Sequence, residues 1–241
     1  MKKSAILILL TLSILQSKLS YGVVTIGNYD ILDHGTDVIY LYHHINNSPI
    51  NNEKFIINLP GKNTTYMEKS NFNALSKSHS WEQNDFKQKD IIKNSKAIIN
   101  QHKPEFSKDN LAFWGAVSIG KFNFEKNTYP IRFSALYSTP KTYDYLLKTD
   151  KKEIVIDYKP KTEAEARHIE DVVLKTKKLN RNKRFLKALV IIKPIDASYK
   201  QIGSYKKHII DSKIIKLNIY PNKRSLREIN LTKDLLFNIN T

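Results

Sequence analysis

The chain contains no cysteine. Disulfides, thiolate metal sites, cysteine nucleophiles and lipid attachment at a cysteine are therefore excluded. Glycine is scarce, with seven residues in 241, which leaves little material for phosphate-cradling loops. Arginine accounts for only six of the 40 basic residues. Acid is short too: 23 Asp plus Glu give a formal net charge of +17. No G-x-S-x-G nucleophile elbow occurs. Neither does an H-E-x-x-H pair or any other metal spacing specific in itself. Ser118-Ile119-Gly120-Lys121 only superficially resembles a phosphate loop, because the upstream glycine is missing. RNP-like, helix-turn-helix and zinc signatures are absent as well, which argues against nucleic acid as a partner. No cofactor motif is present, so none is expected.

What remains is enough for a folded protein. Hydrophobic residues make up 41% of the chain and aromatics 10%, a composition that buries a core rather than staying disordered. The length allows one large domain or two small ones.

The N-terminus reads as an address. Met1-Lys2-Lys3-Ser4 is basic, and Ala5 to Leu15 is an apolar run. That run is about half of the roughly 20 residues a spanning helix needs. Ser20-Tyr21-Gly22 places small residues at the −3 and −1 positions of a cut. The pattern is that of a secretory signal peptide over residues 1–22, cleaved after Gly22. An exported protein, periplasmic or secreted, is the expectation. No later stretch is apolar enough to span a bilayer, so the mature chain, 23–241, is expected to be soluble.

Charge is unevenly placed. Residues 1–22 carry three lysines and no acid. Residues 23–140 carry 13 basic and 11 acidic side chains; residues 141–241 carry 24 and 12. The excess belongs to the C-terminal part. Abundant Lys, Asn and Ile also fit AT-rich coding, so part of the charge can be compositional.

Periodicity gives the elements. Val38, Leu41, Tyr42 and Ile45 share one helical face over about 36–47. Phe55-Ile56-Ile57 reads as a short strand or helical turn, and 61–84 as a polar loop. Residues 85–101 read as a helix. Leu111 to Phe124 reads as a strand with a bulge near Gly120, and Ile131 to Tyr137 as its returning partner. Residues 139–152 read as a short helix and Glu153 to Tyr158 as a strand. Thr162 with Glu165 forms a capping box opening a helix over about 163–179. Phe185 to Ile195 reads as a strand ended by Pro194 and Asp196. A hairpin then turns at Asp211-Ser212. Helices first, then strands, predict an α+β fold. In it, N-terminal helices pack on a mainly antiparallel sheet formed by the C-terminal two-thirds, with one strand–helix–strand unit. The chain from 23 reads as a single domain, with a soft layer boundary near 105.

Two basic clusters carry the functional expectation. Lys175, Lys177, Lys178, Arg181, Lys183, Arg184 and Lys187 fall at a helix end, the loop after it and the start of the next strand. Lys206 and Lys207 open a second set on the last hairpin. Such density can attract an anionic polymer, a lipid headgroup or an acidic protein surface. The bland reading is a solvated helix end, since Glu163, Glu165, Glu170 and Asp171 precede the bases and suit the helix dipole. A non-enzymatic binding module with a basic C-terminal surface is the leading expectation. The alternative is a secreted hydrolase assembled from His34, Asp37, His43 and Ser118.

Overall fold

The structure is a computed structural model. It describes residues 25–32, 35–51, 53, 56, 83–101, 103–107, 109–134, 137–138, 144–177, 183–203, 205–223, 226 and 229–241. The expectations for 1–22 and for the 61–84 loop fall almost wholly outside this set. Among the described residues the chain forms β1 (Thr25–Ile26), β2 (Tyr29–Ile31), α1 (Gly35–Ile45), α2 (Asp85–Gln101) and β3 (Leu111–Ile119). There follow β4 (Tyr129–Ser134), β5 (Tyr137–Ser138), β6 (Tyr145–Thr149), β7 (Glu153–Tyr158) and α3 (Glu163–Lys177). The chain ends with β8 (Phe185–Ile202), β9 (Tyr205–Tyr220) and β10 (Phe237–Asn240). The fold is mixed α+β.

All ten strands belong to one sheet. Its spine is β3–β8–β9, antiparallel throughout. On the far edge of β3, β2 pairs in parallel at one end and β4 antiparallel at the other, with β7 beyond β4. On the far edge of β9, β6 pairs in parallel over His208–Ser212 and β10 antiparallel over Lys216–Ile219. The sheet curls until its outer strands meet. Tyr158 of β7 stacks on Phe237 of β10, ring centroids 4.0 Å apart.

The concave face holds the main core. Phe113, Val117, Leu186, Val190, Leu217 and Ile219 point into it, all buried. Helix α3 lies in this trough, with Ala166, Ile169 and Val173 buried. Three side chains fasten it to the sheet. Tyr129 donates to the Ala166 carbonyl at 2.8 Å and Tyr158 to Glu165 at 2.6 Å. Arg184 holds Glu170. The capping box is present in a shifted form: Thr162 Oγ1 accepts from the Glu165 amide, while Glu165 reaches back to the Lys161 amide. Helix α1 contacts β6 and β9. Its residues 37–42 are all buried, beyond the single face that periodicity predicts. A helix apolar on every side is covered on every side.

Four expectations are corrected. Residues 145–149 form a strand rather than a helix, because β9 offers a parallel edge to Tyr145–Thr149. Strand β8 does not end at Pro194 but runs to Ile202. Past Ile192 its second edge has no partner among the described residues, and the register shifts beside Pro194. A proline without an amide donor is tolerated at such a bulge. The last hairpin turns at Gly203 (φ 59°), not at Asp211-Ser212. Ile202 pairs with Tyr205, which leaves a two-residue loop. A positive φ at its first position suits the right-handed strand twist and favours glycine. Strand β3 also stops at Ile119. Gly120 then approaches Pro130 so closely that a Cβ there would lie 2.4 Å from the Pro130 ring.

Candidate anion-binding surface

The curled sheet sorts the predicted basic residues onto two sides. Lys175 is exposed on α3, on the side of the sheet that carries the main core. Lys183 is exposed just before β8. Lys177 falls in the last position of α3, while Lys178 and Arg181 lie outside the described residues.

Arg184 is used internally. Its guanidinium binds both Glu170 oxygens at 2.7 Å and donates to the carbonyls of Ile119 and Gly120. The fork geometry suits a two-oxygen grip. These hydrogen bonds hold the Glu170 carboxyl below the usual carboxylate range. Arg184 therefore closes the end of β3 onto α3 rather than presenting a free cation.

The second set lies partly on the convex face. Because Val190, Leu217 and Ile219 point inward, Lys187, Lys193 and Lys216 point outward, and so does Lys213, which pairs with Lys193 past the bulge at Ile215. Lys207, opposite Lys200, continues this face toward the hairpin tip; Lys206 is its neighbour in β9. Two cross-strand pairs put lysines directly opposite, Lys193 with Lys213 and Lys200 with Lys207, and between them Asp196 faces Asp211. Such pairs are unfavourable without a counter-charge. One lysine of each pair has acids nearby. Lys193 bonds Asp109 at 3.2 Å, and Lys200 bonds Asp211 at 2.5 Å with Asp196 at 3.9 Å. Lys187, Lys207, Lys213 and Lys216 make no ion pair with a described residue.

Part of the convex face is covered. Ile31, Ala112, Leu189, Ile191, Tyr220 and Ile229 form a smaller buried cluster there, with Trp114, Leu226 and Leu231 packed on it. The lysine region extends from this cluster toward Gly203.

Bulges modify that region. The pairing of β8 with β9 skips Ile215 beside Ile191/Ile192 and skips Ile195 beside Pro194/Asp196. Each bulge crowds an extra side chain onto its strand. Ile195 is 67% exposed and Ile215 41%. Sequence reading missed them. The available signals were Pro194 inside an apolar strand and the break in alternation at Ile214-Ile215.

The described residues of the hydrolase alternative, Asp37, His43 and Ser118, do not assemble. His34 lies outside the described residues. Asp37 and His43 are buried in α1, whereas Ser118 lies on the opposite face of β3 from Val117 and Ile119, across from Arg132.

His43 belongs to an aromatic node instead. Its Nε2 meets the Tyr145 hydroxyl at 2.8 Å and its Nδ1 the Ser48 hydroxyl at 3.0 Å. His208 stacks on Tyr145, centroids 4.4 Å apart, with Tyr42 and Tyr199 against its other sides. Burial, then the neighbouring His208 and Lys103, push His43 down to about 4. Burial lowers His208 as well, against the opposing effect of Asp144. Ser48 sits just past the helix end, where Asn47 takes a positive φ and the Ser48 amide bonds the His43 carbonyl. This is a helix-terminating turn, and its serine–histidine contact follows from that turn.

A cleft of about 390 Å³ opens between the C-terminal ends of α1 and α2, lined by His44, Asn47, Asn100, Lys103 and Glu105. Its polar groups are largely occupied. Asn100 exchanges hydrogen bonds with the Ile50 backbone, and Lys103 donates to the carbonyls of His43 and Ser48. Among the described residues no group of three or more His, Cys, Asp or Glu side chains could hold a metal ion. No described helix is long and apolar enough to cross a membrane. Compared with protein-family models, curated proteins and solved structures, the chain matches none.

Proposed function

We propose that the protein is an exported, non-enzymatic binding module that contacts an anionic partner through the convex face of the β8–β9 hairpin. The observation that carries this reading is the pair of like-charge rungs, Lys193 opposite Lys213 and Lys200 opposite Lys207. One lysine of each rung has an acid beside it, so the charge offered to a partner is that of Lys207, Lys213 and Lys216, which make no ion pair with a described residue and which a bound anion neutralises. Lys216 extends the same positive strip and makes no ion pair with a described residue. The expected export rests on the N-terminal signal pattern. The mature chain is read as one domain, with the N-terminal helices forming a layer on the mainly antiparallel sheet.

Heparin affinity tests the reading. The protein is expected to be retained at low salt and released by salt. Its affinity should fall with salt in proportion to the number of charges engaged, by analogy with polyanion binding elsewhere. Failure of heparin, anionic vesicles and anionic cell-wall polymers alike to retain it at low salt contradicts the proposal.

A further inference from the structure

We infer that the anionic partner of the β8–β9 convex face is the surface of a lipid bilayer carrying anionic headgroups. The inference rests on the reading that this face binds anions, and it adds what kind of anion carrier fits. Electrostatics alone does not separate a soluble polyanion from a membrane, because both neutralise Lys193, Lys200, Lys207, Lys213 and Lys216. The two bulges separate them. Each leaves an exposed isoleucine that the strand pairing skips, Ile195 and Ile215, within two residues of Lys193, Lys213 or Lys216 along the hairpin. They lie on either side of the Lys193–Lys213 rung along the hairpin. Both remain well exposed, whereas the other β8 and β9 isoleucines with described side chains, 191, 192, 209, 210, 214 and 219, are buried.

A polyanion in water gains nothing from an exposed isoleucine. A bilayer surface does. Ammonium groups stay at headgroup level on flexible stems while short apolar side chains enter the boundary below them. Interspersed lysines and exposed aliphatics on one face are the combination that interfacial binding uses, with contributions from apolar burial and from charge. The hairpin is suited to this contact: it is held by the main core from the concave side, so it needs no refolding to present the face.

The test compares the full chain with two variants of it, so that any contribution from residues 1–22 is common to all three. The first variant is Ile195→Ser with Ile215→Ser, and the second is Lys213→Gln with Lys216→Gln. Binding is read by co-sedimentation with vesicles of phosphatidylglycerol and phosphatidylcholine, with pure phosphatidylcholine vesicles for comparison. Heparin elution is measured on the same samples, and thermal melting checks that each variant is folded. The expected result is preference for the anionic vesicles. Affinity for them should fall about tenfold in the isoleucine variant, with heparin elution unchanged. The lysine variant should lose affinity for both probes, by about fivefold per lysine on vesicles. If the isoleucine variant binds anionic vesicles as the parent does, the membrane inference is overturned while the anion-binding reading stands. If pure phosphatidylcholine is bound equally well, it is overturned too. If neither heparin nor anionic vesicles bind the parent, both readings fall together.

Discussion

The two faces of the β8–β9 hairpin share a backbone and differ in almost everything else. On the concave side, Leu186, Val190, Leu217 and Ile219 are buried against α3 and the closing strands. On the convex side toward the tip, lysines face lysines on either side of an Asp196–Asp211 pair, and the two isoleucines that the bulges leave unpaired stand in solvent. Strand alternation makes such a division possible, since neighbouring residues point to opposite faces. The basic excess of the C-terminal part is therefore not one surface. Some of it is structural, as in Arg184; some sits on α3 over the core side; and some forms the convex strip.

The strongest way to break this contrast is on the concave face. Leu217→Ala should cost about 3 kcal/mol, through lost burial and the cavity left behind. A lowered midpoint in urea unfolding would show it. Arg184→Ala should follow at about 2 kcal/mol, because it strands a partly buried Glu170 and two strand-end carbonyls. If Arg184 were a ligand-binding cation instead, its loss would weaken heparin retention and leave stability unchanged.

Acid sharpens the comparison by acting on the node between α1 and the hairpin. His43 is held near 4 and His208 is lowered, against an ordinary value of 6.5. As pH falls, the unfolded chain takes up these protons before the folded one does. The stabilisation is thus complete above pH 6.5 and is lost between about 6.5 and 4. Allowing for partial access of solvent, the loss should be about 1–2 kcal/mol. Lys103 on one side and Asp144 and Asp196 on the other are the charged groups around the node. Urea midpoints measured from pH 7 to 4.5 should fall less steeply in His43→Gln than in the parent.

The smallest effect on stability should come from the convex face. Lys213→Gln removes one member of a like-charge rung and should change stability by less than about 0.5 kcal/mol, toward stabilisation. Its effect should appear in binding instead.

Much of the fold was legible because the signals were local. The 3.6-residue period marked α2 to its ends, and Thr162 with Glu165 marked the start of α3. Alternation of Ile131 and Phe133 marked the returning strand. What was not legible depended on partners distant in sequence. Tyr145-Leu146-Leu147 forms a strand only because β9 lies beside it. Pro194 continues a strand only because a bulge and an unpaired edge absorb it. The hairpin turn was misplaced because Asp211-Ser212 looks like a turn while Gly203 carries the needed positive φ. For the candidate surface, the lysines were visible in sequence. Their sorting between faces was not, because it depends on register and on two bulges.

The most direct test sets one side of the sheet against the other at equal charge. Lys213→Gln with Lys216→Gln removes two convex-face lysines that make no ion pair with a described residue; Lys175→Gln with Lys183→Gln removes two exposed lysines elsewhere. The salt concentration eluting each double variant from heparin is compared with that of the parent. A clear drop is expected for the convex pair, with a shallower salt dependence, and little change for the other. Equal shifts in both, or a shift only in the Lys175/Lys183 variant, would contradict it.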